Sequence, residues 1–257
     1  MGAFGTIVGS GGGFILTPIL LLLYPHDRPA TLTAISLTAV FFNATSGSAA
    51  YAHQRRVDFR SGLAFAAAAL PGSIVGALVV GAVSRSAFSV VMAFALLALA
   101  AWLLLGEPGG ARLPKGRLVH RVLIDRYGRR FEYAVPMRRG VAYSSVVGFA
   151  SSFLGIGGGV IHVPLLVRVL GFPTHIATAT SHFVLAIIAG SGALTHVAAG
   201  SFAHGHGIRR AIALSIGVVA GAQLGARLSL RARGRIVETL LGVALLALAA
   251  RLLLTAI

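Results

Sequence analysis

This sequence has no cysteine and few charged residues. None of the 257 residues is cysteine, which excludes disulfides, iron–sulfur clusters and thiol catalysis. Charged residues make up 11% of the chain, whereas a soluble domain carries roughly a quarter. Hydrophobic residues make up 56% and the mean hydropathy is +0.88. A soluble globular protein is therefore a poor description of this chain.

Long uncharged runs point instead to a membrane protein. The runs Gly62–Ser84 and Ser86–Gly106 contain no charge, and each is long enough for a bilayer crossing, which needs about 20 apolar residues. Only helices and closed barrels satisfy their backbone in lipid. Because these runs are continuously apolar rather than alternating, we predict an all-α, polytopic membrane protein.

The positive charge needs a separate explanation, because a net charge of +16 could also indicate nucleic-acid binding. In a membrane protein, basic loops that face anionic lipid on the cytoplasmic side explain such a charge. We therefore predict a lipid bilayer as the partner of the basic loops and no nucleic acid. The first residues have no basic region before their apolar run, so we do not predict a signal peptide.

An internal repeat divides the chain into two halves. Gly9–Pro18 recurs as Gly155–Pro164, with four glycines and the proline coinciding at a constant shift of 146 residues. We predict a first transmembrane repeat at 1–106, a basic extramembrane linker at 107–139 and a second transmembrane repeat at 140–257. The predicted hydrophobic segments are 2–23, 31–52, 62–83 and 87–106, then 140–170, 174–199, 207–228 and 235–256.

The linker Glu107–Arg139 contains nine Lys or Arg residues. Within it, Arg117–Val135 alternates moderately between apolar and polar residues around Tyr127-Gly128, which predicts a small β-hairpin outside the membrane. A disordered basic linker would give a similar pattern.

The orientation of the two halves depends on whether the glycine-containing first segments cross the membrane. If all eight segments cross, the halves are parallel and the loop Lys and Arg residues divide 15 against 7. If the first segment of each half is re-entrant, the halves are inverted and the division is 17 against 5. The positive-inside rule favours the second arrangement, which is also common in transporters. We predict inverted repeats with the basic linker in the cytoplasm.

The two glycine triplets are the first candidate for a functional site. Three consecutive glycines interrupt a helix, and irregular backbone at membrane depth persists only where it is buried in protein or lines a cavity. A helix that restarts after the glycines would present free N–H groups and a positive dipole end, which suit an anion. Close helix packing is the alternative. The triplets are Gly11, Gly12 and Gly13, and Gly157, Gly158 and Gly159.

The scarcity of acidic residues also favours an anion as the substrate. There are six, none predicted at mid-membrane, which disfavours a cation pathway or a carboxylate proton relay. Neutral hydroxyls and amides occur at matched places in both halves and can bind oxyanions without a buried charge. The predicted polar lining is Thr33, Ser36, Asn43, Thr45, Ser46, Ser48, Thr178, Thr180, Ser181, Ser191 and Thr195, of which Ser36, Asn43, Thr180 and Ser181 are taken as site residues.

Three histidines lie in apolar segments of the second half: His162, His182 and His196. Because histidine titrates near neutral pH, one of them could bind an anion or couple transport to protons; a neutral core histidine is the alternative. We select His182, beside Ser181, as the candidate for anion binding or proton coupling. Neither a metal site nor a cofactor is predicted, since no acidic partner is near and the spacings are not diagnostic.

Three features together resemble the sulfite exporter TauE/SafE family: the duplicated Gly-x-Gly-Gly-Gly-x4-Pro signature, the stretch Ala-Thr-Ala-Thr-Ser at 177–181, and the paired small-xxx-small segments at Gly72/Gly76 and Gly221/Gly225. The resemblance covers essentially the whole chain. It implies an inner-membrane permease for small sulfur-containing anions such as sulfite, thiosulfate or organosulfonates. It also implies that both glycine regions and the neighbourhoods of Ser36 and Ser181 frame the substrate. The first half departs from its mate, because its leading segment is short before the glycines.

The predicted function is a secondary transporter that moves a small anion by alternating access. An anion channel with the same lining is the first alternative. A membrane-embedded enzyme using His182 or His196 as base is the second, but the sequence contains no supporting catalytic motif. We predict no enzyme activity, and the sequence is compatible with a homo-oligomer.

Overall fold

The computed structural model describes residues 1–105, 118–202, 206–229 and 234–256. Before the central hairpin the helices are α1 Gly2–Val8, α2 Gly13–Leu23, α3 Pro29–His53, α4 Phe59–Val79 with a short 3-10 turn Val80–Ala82, and α5 Arg85–Leu105. After it come α6 Met137–Leu154, α7 Gly159–Pro164 with a π-helical extension Leu165–Val169, α8 Thr174–Ala198, α9 Gly207–Leu228 and α10 Gly234–Ala256.

Four of the described helices are long and apolar enough to cross a membrane: Phe59–Ala82, Arg85–Leu105, Thr174–Ala198 and Gly207–Leu228. The prediction of a helical, polytopic membrane protein is therefore confirmed at this level. The most apolar stretch of α8 is 72% buried, compared with 28–39% in the other three. Large side chains such as Leu63, Phe94 and Ile216 are exposed on the outer helices, as expected for helices whose outer surfaces face lipid.

The central hairpin, β1 Val119–Ile124 and β2 Arg130–Val135, pairs antiparallel with Val119 opposite Val135. The predicted β-hairpin is thus confirmed. Its turn depends on Asp125, whose carboxylate accepts hydrogen bonds from the backbone N–H groups of Tyr127 and Arg129, both at 2.9 Å. Burial opposes ionisation of this carboxyl, but these hydrogen bonds and the Arg129 side chain hold its pKa below the ordinary value.

Contacts between helix ends define two ends of the bundle. The end of α3 and the start of α4 lie at the end occupied by the β-hairpin, here called the hairpin face. There the Gln54 side chain donates to the carbonyl of Ala226 near the end of α9 (3.3 Å). At the other end, the opposite face, Thr31 near the start of α3 donates to the carbonyl of Ser201 just after α8 (3.0 Å). Consequently α3 and α9 run towards the hairpin face and α8 runs away from it.

The segment α6–α7 enters the bundle and returns to the same end. His162 on α7 lies beside Ser144 on α6 (Nε2 to Oγ 3.3 Å). Leu170, after the π-helical turn, packs against Gly140 near the start of α6, where a Cβ on the glycine would lie 3.1 Å from Leu170 Cδ1. The start and the finish of this segment therefore both lie at the hairpin face.

The segment α1–α2 also folds back on itself. A Cβ on Gly12 would lie 3.4 Å from the carbonyl oxygen of Met1, so α2 begins beside the start of α1. From there α2 runs to the opposite face, where the Arg85 side chain at the start of α5 donates to the carbonyls of Leu21 (2.5 Å) and Asp27 (2.6 Å). The two returning segments thus reach opposite ends of the bundle.

Candidate functional site

The first glycine turn, residues 9–12, separates α1 from α2. Gly9, Gly11 and Gly12 have φ values of +82°, +70° and +82°, a left-handed conformation that costs other residues about 1–2 kcal/mol each. The turn is closed by the carbonyl of Gly5, which accepts hydrogen bonds from the N–H groups of Ser10 (2.7 Å) and Gly11 (3.1 Å). Glycine is therefore required here by the backbone conformation itself.

The second glycine turn, residues 155–158, separates α6 from α7 in the same way. Gly155, Gly157 and Gly158 have φ values of +66°, +79° and +66°. The helix that precedes this turn, α6, has 18 residues, whereas α1 before the first turn has 7. The leading helix is therefore much shorter in the first half.

The two turns lie against each other in the interior. A Cβ on Gly13 would lie 2.8 Å from the carbonyl oxygen of Ile156, and one on Gly159 would lie 2.6 Å from the Cα of Ser10. These distances are too short for any side chain, so the backbones of the two halves are in direct contact.

One face of α3 runs along the turns, and we call it the α3 stripe. Its buried members recur every three or four residues, which is the spacing of one helix face: Thr33, Ser36, Val40, Asn43, Gly47 and Tyr51. The equivalent α8 stripe, 145 residues later, consists of Thr178, Ser181, Leu185, Ile188, Gly192 and His196, all buried. Val40 and Leu185 both press on Gly11 and Gly157, where a Cβ would lie 2.6–3.1 Å from their methyl carbons.

Hydroxyls of each stripe bind the glycine turn of the other half. Ser36 donates to the carbonyl of Gly155 at 2.7 Å, and Thr17 donates to the same oxygen at 2.7 Å. Reciprocally, Ser181 donates to the carbonyl of Gly9 at 3.4 Å. These carbonyls end α6 and α1, so the hydroxyls satisfy acceptors that helix termini leave free.

Asn43 lies where α1, α3 and α9 meet. Its side-chain carbonyl accepts a hydrogen bond from Thr6 (3.1 Å), and its amide donates to the carbonyls of Gly2 and Val218, both at 3.2 Å. Tyr51, two turns further along α3, donates to the carbonyl of Thr6 (2.8 Å). These neutral groups hold α1 against the two long helices.

His182 is fully buried beside this cluster. Its ring meets the Tyr51 ring edge-on, with centroids 5.7 Å apart. Gly47 makes room for it, since a Cβ there would lie 2.7 Å from Cδ2 of His182. The ring faces the backbone of Gly9, but neither ring nitrogen makes a hydrogen bond of ordinary geometry within the described residues. Burying such nitrogens unpaired is costly, which marks this ring as the least satisfied polar group of the centre.

Comparison with known proteins identifies the family of the chain. The family model for "Sulfite exporter TauE/SafE" matches residues 1–252. The chain belongs to this family. A "Probable membrane transporter protein YunE" of Bacillus subtilis is 28% identical over 98% of this chain and 93% of its own length. A "Probable membrane transporter protein" of Methanocaldococcus jannaschii is 24% identical over 77% of this chain and 69% of its own length. No solved structure matches.

Most of the residues predicted as the site of this TauE/SafE-family protein lie together at the two turns and stripes, but Thr180 does not. Its hydroxyl accepts a hydrogen bond from the backbone N–H of Asp58 (3.0 Å), at the hairpin face. Four predicted lining residues, Thr45, Ser46, Ser191 and Thr195, lie on less buried faces of α3 and α8.

The other two buried histidines of the second half have hydroxyl partners. Both ring nitrogens of His196 do, Thr33 at 3.3 Å and Ser201 at 3.0 Å. Nε2 of His162 lies 3.3 Å from Ser144 Oγ, whereas its Nδ1 has no partner within the described residues. Within the described ranges, no group of three or more His, Asp or Glu side chains is arranged to hold a metal ion.

The β-hairpin is fastened to the bundle through Asp58, the N-cap of α4. The carboxylate accepts hydrogen bonds from Ser61 Oγ (2.6 Å) and the Tyr133 hydroxyl (3.0 Å), and Arg121 Nε lies 3.6 Å away. Burial raises the pKa of the Tyr133 phenol, and the adjacent Asp58 raises it further. The hydroxyl therefore remains a donor at neutral pH.

Tyr133→Phe is expected to lower the stability of the folded protein by about 1.5–3 kcal/mol, the usual contribution of a hydrogen bond to a charged group. Tyr127→Phe is the matched control, because Tyr127 is 59% exposed at the tip of the hairpin. Thermal denaturation of the purified variants measures both effects. Equal melting temperatures in the two variants would contradict the role given to Tyr133.

Proposed function

We propose that this protein is a secondary transporter that moves a small anion, of the sulfur oxyanion or organosulfonate class, across the cytoplasmic membrane by alternating access. The observation that carries the proposal is the meeting of the two glycine turns between the α3 and α8 stripes. Irregular backbone buried at the contact between two halves of a membrane protein is the usual location of a transporter's substrate site.

Inverted repeats with re-entrant first segments are the architecture we infer. Two features support it: α3 and α8 run in opposite directions, and the returning segments α1–α2 and α6–α7 reach opposite ends of the bundle. In such an arrangement a rocking motion of one half against the other opens the centre alternately to each side. The carbonyls of Gly9 and Gly155, bound by hydroxyls from the other half, lie at the contact that would have to shift.

An anionic substrate is favoured by the polar groups near the turns. Within the described residues, the N–H groups of Gly13 and Phe14 at the start of α2 have no hydrogen-bond acceptor, and a helix N-terminus attracts negative charge. The side chains of Asp27, Asp58, Asp125 and Glu132 lie at the two ends of the bundle. The centre therefore offers hydroxyls, amides and N–H groups rather than carboxylates.

The membrane orientation follows from the basic residues. Arg55, Arg60, Arg168 and Arg227 lie at the hairpin face together with the β-hairpin. We infer that this face is cytoplasmic, and that the basic residues of the hairpin face contact anionic lipid. At the opposite face, Arg210 pairs with Asp27 at 2.5 Å and lies over the Tyr24 ring at 3.8 Å.

Counterflow in proteoliposomes tests the proposal. Liposomes loaded with unlabelled sulfite or an organosulfonate are expected to take up labelled substrate transiently against its gradient, with saturable kinetics. Strictly linear, conductive flux without counterflow would indicate an anion channel instead. Substrate that emerges chemically altered would indicate an enzyme.

A further inference from the structure

Arg56 lies between α3 and α4 at the hairpin face, and its buried side chain forms no ion pair with the carboxylates that the structure describes. The residue is 1% exposed. Its Nη1 donates to the side-chain oxygen of Gln54 (3.0 Å), a neutral acceptor. Within the described residues, Nε and Nη2 have no hydrogen-bond partner. A guanidinium always carries its charge in proteins, so this arrangement buries a full positive charge with most of its donors unused.

The described carboxylates do not neutralise the charge of Arg56. The acidic side chain that acts electrostatically on Arg56 is Asp125, and both its oxygens are occupied by the backbone of Tyr127 and Arg129 and by the Arg129 guanidinium (2.8 Å). Asp58 is occupied by Ser61, Tyr133 and Arg121. Of the other four acidic residues, Asp27 lies at the opposite face, Glu132 pairs with Arg130, and the side chains of Glu107 and Glu238 lie outside those described.

Other positive charges also lie near Arg56. Arg129 also acts on it electrostatically, and Arg56 and Arg129 both act on His175 in the first turn of α8. The helix α8 has 25 residues and no side-chain N-cap, so its positive dipole end adds to the field. Burial lowers the pKa of the Arg56 guanidinium, which shows how unfavourable the charge is without a partner. A small oxyanion is the partner whose shape and charge match the two free donors.

Arg56 also lies close to the proposed transport path. Tyr51, the last member of the α3 stripe, acts on it electrostatically, and the Tyr51 ring contacts His182. The backbone N–H of Arg56 also donates to the carbonyl of Tyr51 (3.1 Å), so Tyr51 connects the Arg56 loop with His182 and the first glycine turn.

We propose that Arg56 is the binding residue of an oxyanion site at the hairpin face, where a sulfite- or sulfate-like anion binds before it reaches the glycine turns. In this site, under the β-hairpin, the anion would accept one hydrogen bond from Nε and one from Nη2. Its assignment to the transported anion rests on the proposed function, whereas the affinity for an oxyanion does not.

The test measures anion binding by purified, full-length protein in neutral detergent without anionic lipid. Sodium sulfite and sodium sulfate, each compared with chloride at the same ionic strength, are expected to raise the melting temperature of the wild type, because a ligand that binds the folded state stabilises it. Arg60→Gln, which removes an exposed arginine from the same face, should keep the shift. Arg56→Gln should lose it, with at least tenfold weaker binding in calorimetric titration.

A second variant separates geometry from charge. Arg56→Lys keeps the charge but lacks the planar fork, so it should bind sulfate more weakly than the wild type and more tightly than Arg56→Gln. In chloride buffer without oxyanions Arg56→Gln should melt at or above the wild-type temperature, since it removes a buried unpaired charge. A large loss of stability in that buffer, with no oxyanion effect on the wild type, would overturn the proposal in favour of a structural role.

Two further results would also overturn it. An anion shift retained in Arg56→Gln would locate the anion elsewhere. Stabilisation by phosphatidylglycerol but not by sulfite or sulfate, lost in Arg56→Gln, would identify the occupant as a lipid headgroup phosphate. Counterflow separates this site from the proposed function. If the wild type binds the anion but shows no counterflow, the oxyanion site at Arg56 is supported and the proposed transport function is contradicted. Wild-type KM in Arg56→Gln removes the site from the transport path and leaves the function.

Discussion

Gly158→Leu is expected to reduce transport at least 100-fold while leaving the amount of protein in the membrane unchanged. Gly158 has a φ of +66°, and a Cβ there would lie 2.9 Å from both Cβ and Oγ of Ser151. The left-handed conformation costs a leucine about 1–2 kcal/mol, and overpacking typically costs a further 1–3 kcal/mol. The second glycine turn must therefore distort, and it lies against the first turn. Insertion depends on the hydrophobicity of the helices, which this change does not lower.

The equivalent change in the first turn, Gly12→Leu, should have the same effect, since Gly12 has a φ of +82°. Gly12→Ala separates the two causes, because its nearest neighbour, the Met1 carbonyl oxygen, would be 3.4 Å from the new Cβ and conformational strain alone would remain. Gly217→Leu is the control. This glycine lies on the exposed side of α9 with nothing within 4 Å of a Cβ.

Initial rates of substrate uptake in proteoliposomes measure the effect, with membrane-inserted protein quantified for each variant. Wild-type rates in Gly158→Leu and Gly12→Leu would refute the idea that the glycine turns form the moving contact. Loss of transport in Gly217→Leu as well would show that bulk in any helix is harmful, and the turns would then have no special role.

The glycine turns were predictable from the sequence because left-handed backbone is a local property. Repeated glycines at 9, 11 and 12 and at 155, 157 and 158 allow the positive φ that these residues adopt, whereas Gly13 and Gly159 begin the next helices. The β-hairpin was predictable for a similar reason, since the alternation around Tyr127-Gly128 is a local pattern. Both features depend on residues that are near each other in the chain.

The polar lining was only partly predictable, because a residue type does not say which helix face it occupies. Thr45, Ser46, Ser191 and Thr195 are as polar as Ser36 and Ser181, yet they lie off the two stripes. The three- and four-residue spacing of the α3 stripe identifies the buried face once it is sought. The same spacing adds Tyr51, which the predicted polar lining did not include.

Arg56 and Asp58 could not have been found from sequence. Their roles come from contacts with a hairpin that is distant in the chain: Asp58 and Tyr133 are 75 residues apart. In the sequence, Arg56 is one of several basic loop residues, and only its burial distinguishes it from Arg55 and Arg60. Long-range packing decides which of the loop charges is buried.

His182→Leu is expected to preserve or raise the stability of the protein and to reduce transport at least 100-fold. Leucine fits this position, because the equivalent residue of the first half is Leu37, which contacts Gly192 as His182 contacts Gly47. The change also removes two buried ring nitrogens that make no hydrogen bond of ordinary geometry within the described residues, and an unsatisfied buried group costs about 1–3 kcal/mol. A buried histidine with unpaired ring nitrogens beside the first glycine turn is expected to serve the substrate or a coupled proton.

Thermal denaturation and counterflow on the same preparation measure the two effects. His206→Gln is the control, since His206 is exposed at the start of α9 and its loss should change neither quantity. A destabilised His182→Leu variant would mean that the ring has an undetected structural partner. Full transport by a stable His182→Leu variant would show that the two halves need no difference at this position, and the anion would then be bound by the glycine turns and the hydroxyls alone.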